Sequence, residues 1–154
     1  MEIEIVKKSN IGFSPEIGDM THELLSRLSE KVDSEGIDVL KKETVDILSK
    51  CTDPNKRECQ SVTNLVVGYV QSGKTMSFTT LSALAHDNGF RVIIYFAGTK
   101  NNLLSQTTKR LRKDLINGNV NSKHYKLFEN PTKNDSQRIR NALSLSSKPT
   151  ILIT

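Results

Sequence analysis

Eight consecutive residues, Gly68-Tyr69-Val70-Gln71-Ser72-Gly73-Lys74-Thr75, have the types and spacing to hold a polyphosphate. They satisfy the pattern G-x-x-x-x-G-K-[ST] at every position. Gly68 and Gly73 allow backbone angles and a close phosphate approach that a Cβ would obstruct. The N–H groups of Tyr69, Val70, Gln71, Ser72 and their neighbours would then converge on the anion. Lys74 would supply positive charge to the β and γ phosphates, and the Thr75 hydroxyl would coordinate Mg2+. The expected ligand is a nucleoside triphosphate with Mg2+, with Lys74 and Thr75 as the catalytic residues and Thr75 as the metal ligand. At ordinary residue frequencies a chance match in a chain this long is about one in two hundred. A plain glycine turn between strand and helix explains the two glycines but not the lysine and threonine after them. Backbone amides and a lysine do not read the base.

A second segment, Ala97 to Gln106, follows the next apolar run. Its small residues and amides, Thr99, Asn101 and Asn102 among them, suit contact with a sugar-phosphate backbone at a helix start. A capped helix N-terminus with Thr99 or Asn101 as cap is the simpler alternative.

The elements that must position these residues follow from periodicity. Met20, Leu24, Leu28 and Val32 recur every fourth residue and predict a helix, with Gly36 at its end or in the turn after it. Ile37, Leu40, Thr44, Ile47 and Leu48 form the apolar side of a second helix, with Asp53-Pro54 as breaker. From Ser61 onward strand and helix alternate. A strand is expected at 62–67, a helix at 74–87 stopped by Asn88-Gly89, and a strand at 91–96. A helix at 101–115 would turn Leu103, Leu104, Leu111 and Leu115 inward and Lys109, Arg110, Arg112 and Lys113 mostly outward. Residues 119–133 show no clear period and are expected to be a loop with at most a short helix. A helix at 136–146, capped by Asn134 or Asp135, precedes a strand at 150–153. Alternating helices and almost continuously apolar strands predict an α/β fold with a parallel sheet covered on both faces. A three-stranded parallel sheet leaves an exposed edge, so a fragment of a longer protein is expected.

The bulk numbers agree with a globular domain. Hydrophobic residues are 36% and charged residues 25%, far from disordered or collagen-like compositions. No apolar stretch has membrane-spanning length, and the N-terminus lacks a secretory pattern, so a soluble, cytoplasmic protein is expected. Cys51 and Cys59 match no redox or zinc spacing, and His22, His86 and His124 are too scattered to suggest a structural metal. The net charge of +5 conceals a gradient. Residues 1–60 carry 9 basic and 13 acidic side chains, whereas residues 100–154 carry 11 and 3. A basic C-terminal third suits a polyanionic partner, although a solvated lysine-rich helix face gives the same count.

Taken together, the two motifs resemble the first two motifs of superfamily-two helicases. Gly68 to Thr75 is similar to the Walker A motif. Ala97 to Gln106 is similar to the family's Pro-Thr-Arg-Glu-Leu type motif, with Thr99, Leu103 and Gln106 in matching places. Thr150 to Thr154 resembles the third strand. More narrowly, Val66 to Thr75 and Ala97 to Thr107 look like the helicase-type ATPase region of bacterial putative endonucleases bearing a Z-one domain. The resemblance covers about residues 61–154. It implies the first part of a RecA-like P-loop NTPase domain over residues 57–154, preceded by the helical segment that periodicity places within residues 1–56. It further implies ATP and Mg2+ as cofactors, DNA as partner through Thr99, Asn101, Asn102 and Gln106, and a role in DNA restriction or defence. The C-terminal motor lobe and nuclease domain of such a protein are missing here, as is the Asp-Glu pair that positions water, so hydrolysis by this chain alone is not expected. A P-loop phosphotransferase or nucleotide kinase, drafting Arg138 and Arg140 as lid arginines, and a non-catalytic nucleotide-binding remnant are the alternatives.

Overall fold

The computed structural model describes residues 13–56, 61–67, 74–96, 101–117 and 123–154. Two helices, α1 (Asp19–Leu28) and α2 (Ser34–Ser49), precede α3 (Lys74–Asp87) and a short strand β1 (Val92–Ile94). Helix α4 (Asn101–Leu111) runs into a π-helical turn, Arg112–Asn117, and is followed by β2 (Tyr125–Phe128). A 3-10 turn, Lys133–Asp135, leads into α5 (Ser136–Leu143) and then β3 (Thr150–Ile153). The strands form a parallel sheet in the order β1-β3-β2, with Val92 opposite Ile151 and Tyr125 opposite Thr150. The chain is therefore α/β, as the alternation of apolar strands and helices predicts.

Leu24 of α1, Ala83 of α3, Leu111 of α4 and Leu115 of the π-helical turn share one core with Tyr125 and Leu152, so these elements cover one face of the sheet. Ile151 alternates to the other face. It is fully buried, and α5 packs against its strand there. The crossover from β1 to β2 passes through α4 on the first face and that from β2 back to β3 through α5 on the second, so the two share one hand. Each fully buried leucine or isoleucine, such as Leu84, Leu111, Ile151 or Leu152, contributes about 1.5–3 kcal/mol relative to exposure.

Helix α3 ends where its sequence dictates. Phe90 N–H bonds Ala85 carbonyl at 2.9 Å and Gly89 N–H bonds His86 carbonyl at 3.0 Å, the two bonds of a Schellman stop. That closure puts residue 89 at φ +91°, where glycine is unstrained. The last helical residue, Asp87, then caps a different helix. Its carboxylate accepts from the backbone N–H groups of Gly18 (3.1 Å), Met20 (3.2 Å) and Thr21 (2.9 Å), and from the Thr21 hydroxyl (2.6 Å). Gly18, the residue before α1, has no side chain to do this. Its smallness is required as well, because a Cβ there would lie 2.8 Å from Asp87 Cγ.

Several sequence expectations need correction. Gly36 lies inside the first turn of α2, where its N–H bonds the Asp33 side chain at 2.8 Å. A Cβ there would meet Val32 Cγ1 at 2.6 Å, so close contact, not helix termination, explains the glycine. Residues 62–67 form no strand: Leu65 is 88% exposed and Val67 84%. The segment assigned to loop contains β2, anchored by the buried Tyr125. Leu103 faces outward at 47% exposure, while Leu111 and Leu115 are buried as expected. Asp135 stands at the N-cap position of α5, as one of the two expected caps, but its side chain makes no cap bond to that helix; it closes a reciprocal capping box with Thr132 at the start of the preceding 3-10 turn. No helix among the described residues is long and apolar enough to cross a membrane.

At the amino edge of the sheet, His86 Nδ1 lies 2.8 Å from Thr150 Oγ1, and that hydroxyl bonds the Phe90 carbonyl at 2.6 Å. With the hydroxyl proton committed to Phe90, the imidazole must donate from Nδ1. The His86 ring also meets those of His124 (5.4 Å) and Tyr125 (4.9 Å). Burial lowers the His86 pKa, opposed by nearby Asp87 and reinforced by His124 and Arg91.

Two outcomes follow from these contacts. Asp87→Ala should cost about 2 kcal/mol by exposing the start of α1, read as a drop in urea midpoint with the slope unchanged. Because His86 takes up its proton more readily unfolded than folded, stability should fall as pH drops below the unfolded value of about 6.5. Urea titrations at pH 7.5 and 5.5 should reveal the loss, and His86→Asn, which keeps a donor near Thr150, should shrink it.

Candidate functional site

The direction of α3 decides where the phosphate-type motif lies relative to the sheet. Phe78, in the first half of α3, stacks edge-on against Tyr95 just past β1, with centroids 5.9 Å apart. His86, at the other end, touches Thr150 at the start of β3. Helix and strands are therefore antiparallel, and α3 begins at the carboxyl edge of the sheet. Lys74 and Thr75 form its first turn, about 20 Å from the Asp87 end. Gly68, Tyr69, Val70, Gln71, Ser72 and Gly73 lie outside the described residues.

Helix α4 starts at Asn101, a few residues after β1, so its N-terminus emerges at the same carboxyl edge. Asn101 and Asn102 occupy its first turn, and Gln106 is exposed in its second. Thr99 lies outside the described residues. The fold thus brings the starts of α3 and α4 to one edge, the place where open parallel sheets bind ligands.

The helix starts differ in charge. α1 has Asp19 in its first turn and Asp87 on its amides, and α2 has Glu35 and the Asp33 cap. The first turns of α3 and α4 contain no acidic residue. Their positive dipole ends at the carboxyl edge are without a carboxylate of their own, which favours an anion there.

Of the rest of this edge, Arg112 and Arg138 stand out in the sequence, but their partners do not. Thr108 and Thr154 hydroxyls are 3.2 Å apart and join α4 to the end of β3. Thr154 N–H bonds the Phe128 carbonyl at 3.1 Å, carrying the β2–β3 pairing to the rim. Arg112 donates to Glu129 Oε1 from Nε (3.1 Å) and Nη2 (2.7 Å). Arg138 lies 5.5 Å from the centre of the Phe128 ring and pairs with Asp135 at 2.8 Å. The Thr132 backbone N–H, and then Arg138, hold the Asp135 carboxyl below the usual range. Arg112, Phe128, Glu129, Asp135 and Arg138 surround a recess of about 160 Å³. Only the short Tyr-Lys-Leu-Phe run could have announced β2, and four residues carry too little periodicity to distinguish strand from loop.

Along α4 and its π-helical extension Lys109, Arg110, Arg112 and Lys113 are exposed, as expected, with Arg112 engaged by Glu129. Among the described residues no group of three or more histidines, cysteines or carboxylates is placed to hold a metal ion.

Comparison with family models, curated proteins and solved structures gives no match for this chain.

Proposed function

We propose that this chain is the nucleotide-binding portion of a helicase-like, nucleic-acid-dependent ATPase, and that its ligands are Mg-ATP and DNA. The observation that carries the proposal is the unbroken Gly68 to Thr75 motif running into a helix start that has no acidic residue in its first turn. Tyr69, Val70, Gln71 and Ser72 contribute amides, Lys74 the charge on the β and γ phosphates, and Thr75 the oxygen for Mg2+. These residues suit the group chemically: hard oxygen for Mg2+, with the remaining ligands from phosphate and water. Mg-ATP, once bound, supplies the phosphoanhydride that a motor cleaves.

Thr99, Asn101, Asn102 and Gln106 are assigned to the nucleic-acid backbone, supported by the emergence of α4 at the same edge as α3. The basic face of α4 extends that path, and its spread of single charges matches a polyanion better than a small acceptor. A DNA restriction or defence role rests on the motif resemblance. The chain lacks an Asp-Glu pair after a further strand, so the activity assigned to it is binding, with turnover requiring acidic and arginine groups from elsewhere.

Titration calorimetry checks the first assignment. Mg-ATP should bind the intact chain, Lys74→Ala should weaken it at least about tenfold through the lost charge-assisted contact, and Thr75→Ala should remove the benefit of Mg2+. Equal affinity for the intact chain and Lys74→Ala contradicts the site. For nucleic acid, single-stranded DNA affinity should fall with salt, and Lys109→Gln with Lys113→Gln should reduce the slope by about 1.4. Arg112→Gln should change it less, because Glu129 already pairs with that guanidinium.

A further inference from the structure

Where the edge strand β2 ends, the π-helical turn after α4 and the start of α5 flank the recess of about 160 Å³. At ~30 Å³ of liquid volume per water, that is the space of about five water molecules. A single planar ring system fits there, and a whole nucleotide does not. Arg112, Leu127, Phe128, Glu129, Asp135 and Arg138 surround it, two cationic, two anionic and two apolar. Formal charge at the recess therefore sums to zero, in contrast with the exposed Lys109 and Lys113 beside it.

Each wall is held before any ligand arrives. Asp135 accepts from the Thr132 backbone N–H at 3.0 Å and pairs with Arg138 at 2.8 Å. That pairing sets the Arg138 guanidinium over the Phe128 ring, 5.5 Å from its centre. The Arg138 side chain is still 74% exposed, so the cation–aromatic pair presents an open surface. On the opposite wall Arg112 donates to Glu129 from both Nε and Nη2, and both bonds fall on Oε1. Among the described residues Arg112 Nη1 and Glu129 Oε2 take no partner, which leaves one donor and one acceptor for a ligand. Arg112 is also the first residue of the π-helical turn, a widening found frequently at functional sites.

A platform of phenyl ring and guanidinium with a donor and an acceptor nearby suits an unpaired nucleobase. Such a base stacks on aromatic or arginine planes and hydrogen-bonds through its edge. Phosphate is disfavoured by the two carboxylates, and a purely apolar ligand by the four charges. Lys109 precedes Arg112 by roughly 5 Å along the helix axis, and Lys113 follows it directly. A phosphate held by these lysines therefore has its own base within reach of the recess.

We propose that this recess takes one unstacked base of single-stranded DNA, laid on the Phe128–Arg138 pair with its edge toward Arg112 and Glu129. It is a subsite of the nucleic-acid face assigned above and rests on that reading. It binds by stacking, however, where Lys109 and Lys113 bind by charge.

Fluorescence anisotropy over a range of salt tests the proposal with two labelled single strands of equal length, one carrying bases and one abasic throughout. The strand with bases should bind about tenfold more tightly, the effect of one stacked base. Arg138→Lys keeps the charge and removes the plane, and Phe128→Leu keeps an apolar side chain and removes the ring. Each should erase most of the tenfold difference while leaving the salt slope and the abasic affinity unchanged. Lys109→Gln with Lys113→Gln should instead weaken both strands alike. Arg138 is a surface residue, so its variant decides the matter even where Phe128→Leu fails to fold. Salt-dependent binding of equal strength for the two strands overturns the base subsite and leaves the phosphate contacts standing. A preference for bases that survives Arg138→Lys and Phe128→Leu assigns base contact to another surface and overturns it too. Absence of salt-dependent binding to either strand overturns the nucleic-acid reading together with the subsite.

Discussion

Burial of α3 on several sides is the constraint on which the other features depend. Its far end is fixed by the Schellman stop and by the Asp87 carboxylate that caps α1, its length is packed by α1, α2 and the sheet, and its near end carries Lys74 and Thr75. Such a helix has no single polar face. Leu81 and Leu84 pack toward Leu48 of α2, while Phe78 and Ala83 belong to the core shared with Leu24 and Leu152. Small hydroxyl residues fill the remaining positions. Ser82 bonds the Phe78 carbonyl and the Tyr95 hydroxyl, so close packing leaves its polar atom satisfied. The cost falls partly on Tyr95, whose hydroxyl burial pushes up to about 12 despite that bond.

This arrangement connects the two ends of the molecule. At the amino edge, His86, His124, Tyr125 and Thr150 make a packed cluster whose work is structural. At the carboxyl edge, the first turns of α3 and α4 contain no acidic residue, which favours an anion there. A rigid helix about 20 Å long separates them, so proton uptake at His86 acts on stability without touching the motif directly. The same rigidity is what a phosphate site requires: converging amides bind an anion well only when their direction is fixed before it arrives.

Much of the fold was legible because the long elements have strong periods. The limits of α3 at Lys74 and Asp87 follow from the motif on one side and Asn88-Gly89 on the other, and β3 follows from Thr150-Ile-Leu-Ile after Pro149. The failures are local and have physical causes. Gly36 was read as a stop because glycine commonly ends helices, yet here it admits Asp33 and Val32 to close contact. Tyr125 to Phe128 is short, and its strand character comes from pairing with β3. Val62 to Val67 has the composition of a buried strand but has no neighbour in the sheet, because strand formation depends on a partner as much as on propensity. For the site, the Gly68 to Thr75 pattern is readable in the residue types alone, whereas Arg112–Glu129 and Arg138–Phe128 needed the tertiary fold to bring residues 112, 128, 129 and 138 together.

The central claim is that the amides at the start of α3 enclose a polyphosphate. Proton–nitrogen correlation spectra recorded during a Mg-ATP titration test it most directly. The account predicts the largest shift changes at the amides of Gly73, Lys74 and Thr75, with the His86 and His124 amides at the opposite edge nearly still. Changes concentrated elsewhere, with those three amides unmoved at saturation, would contradict it.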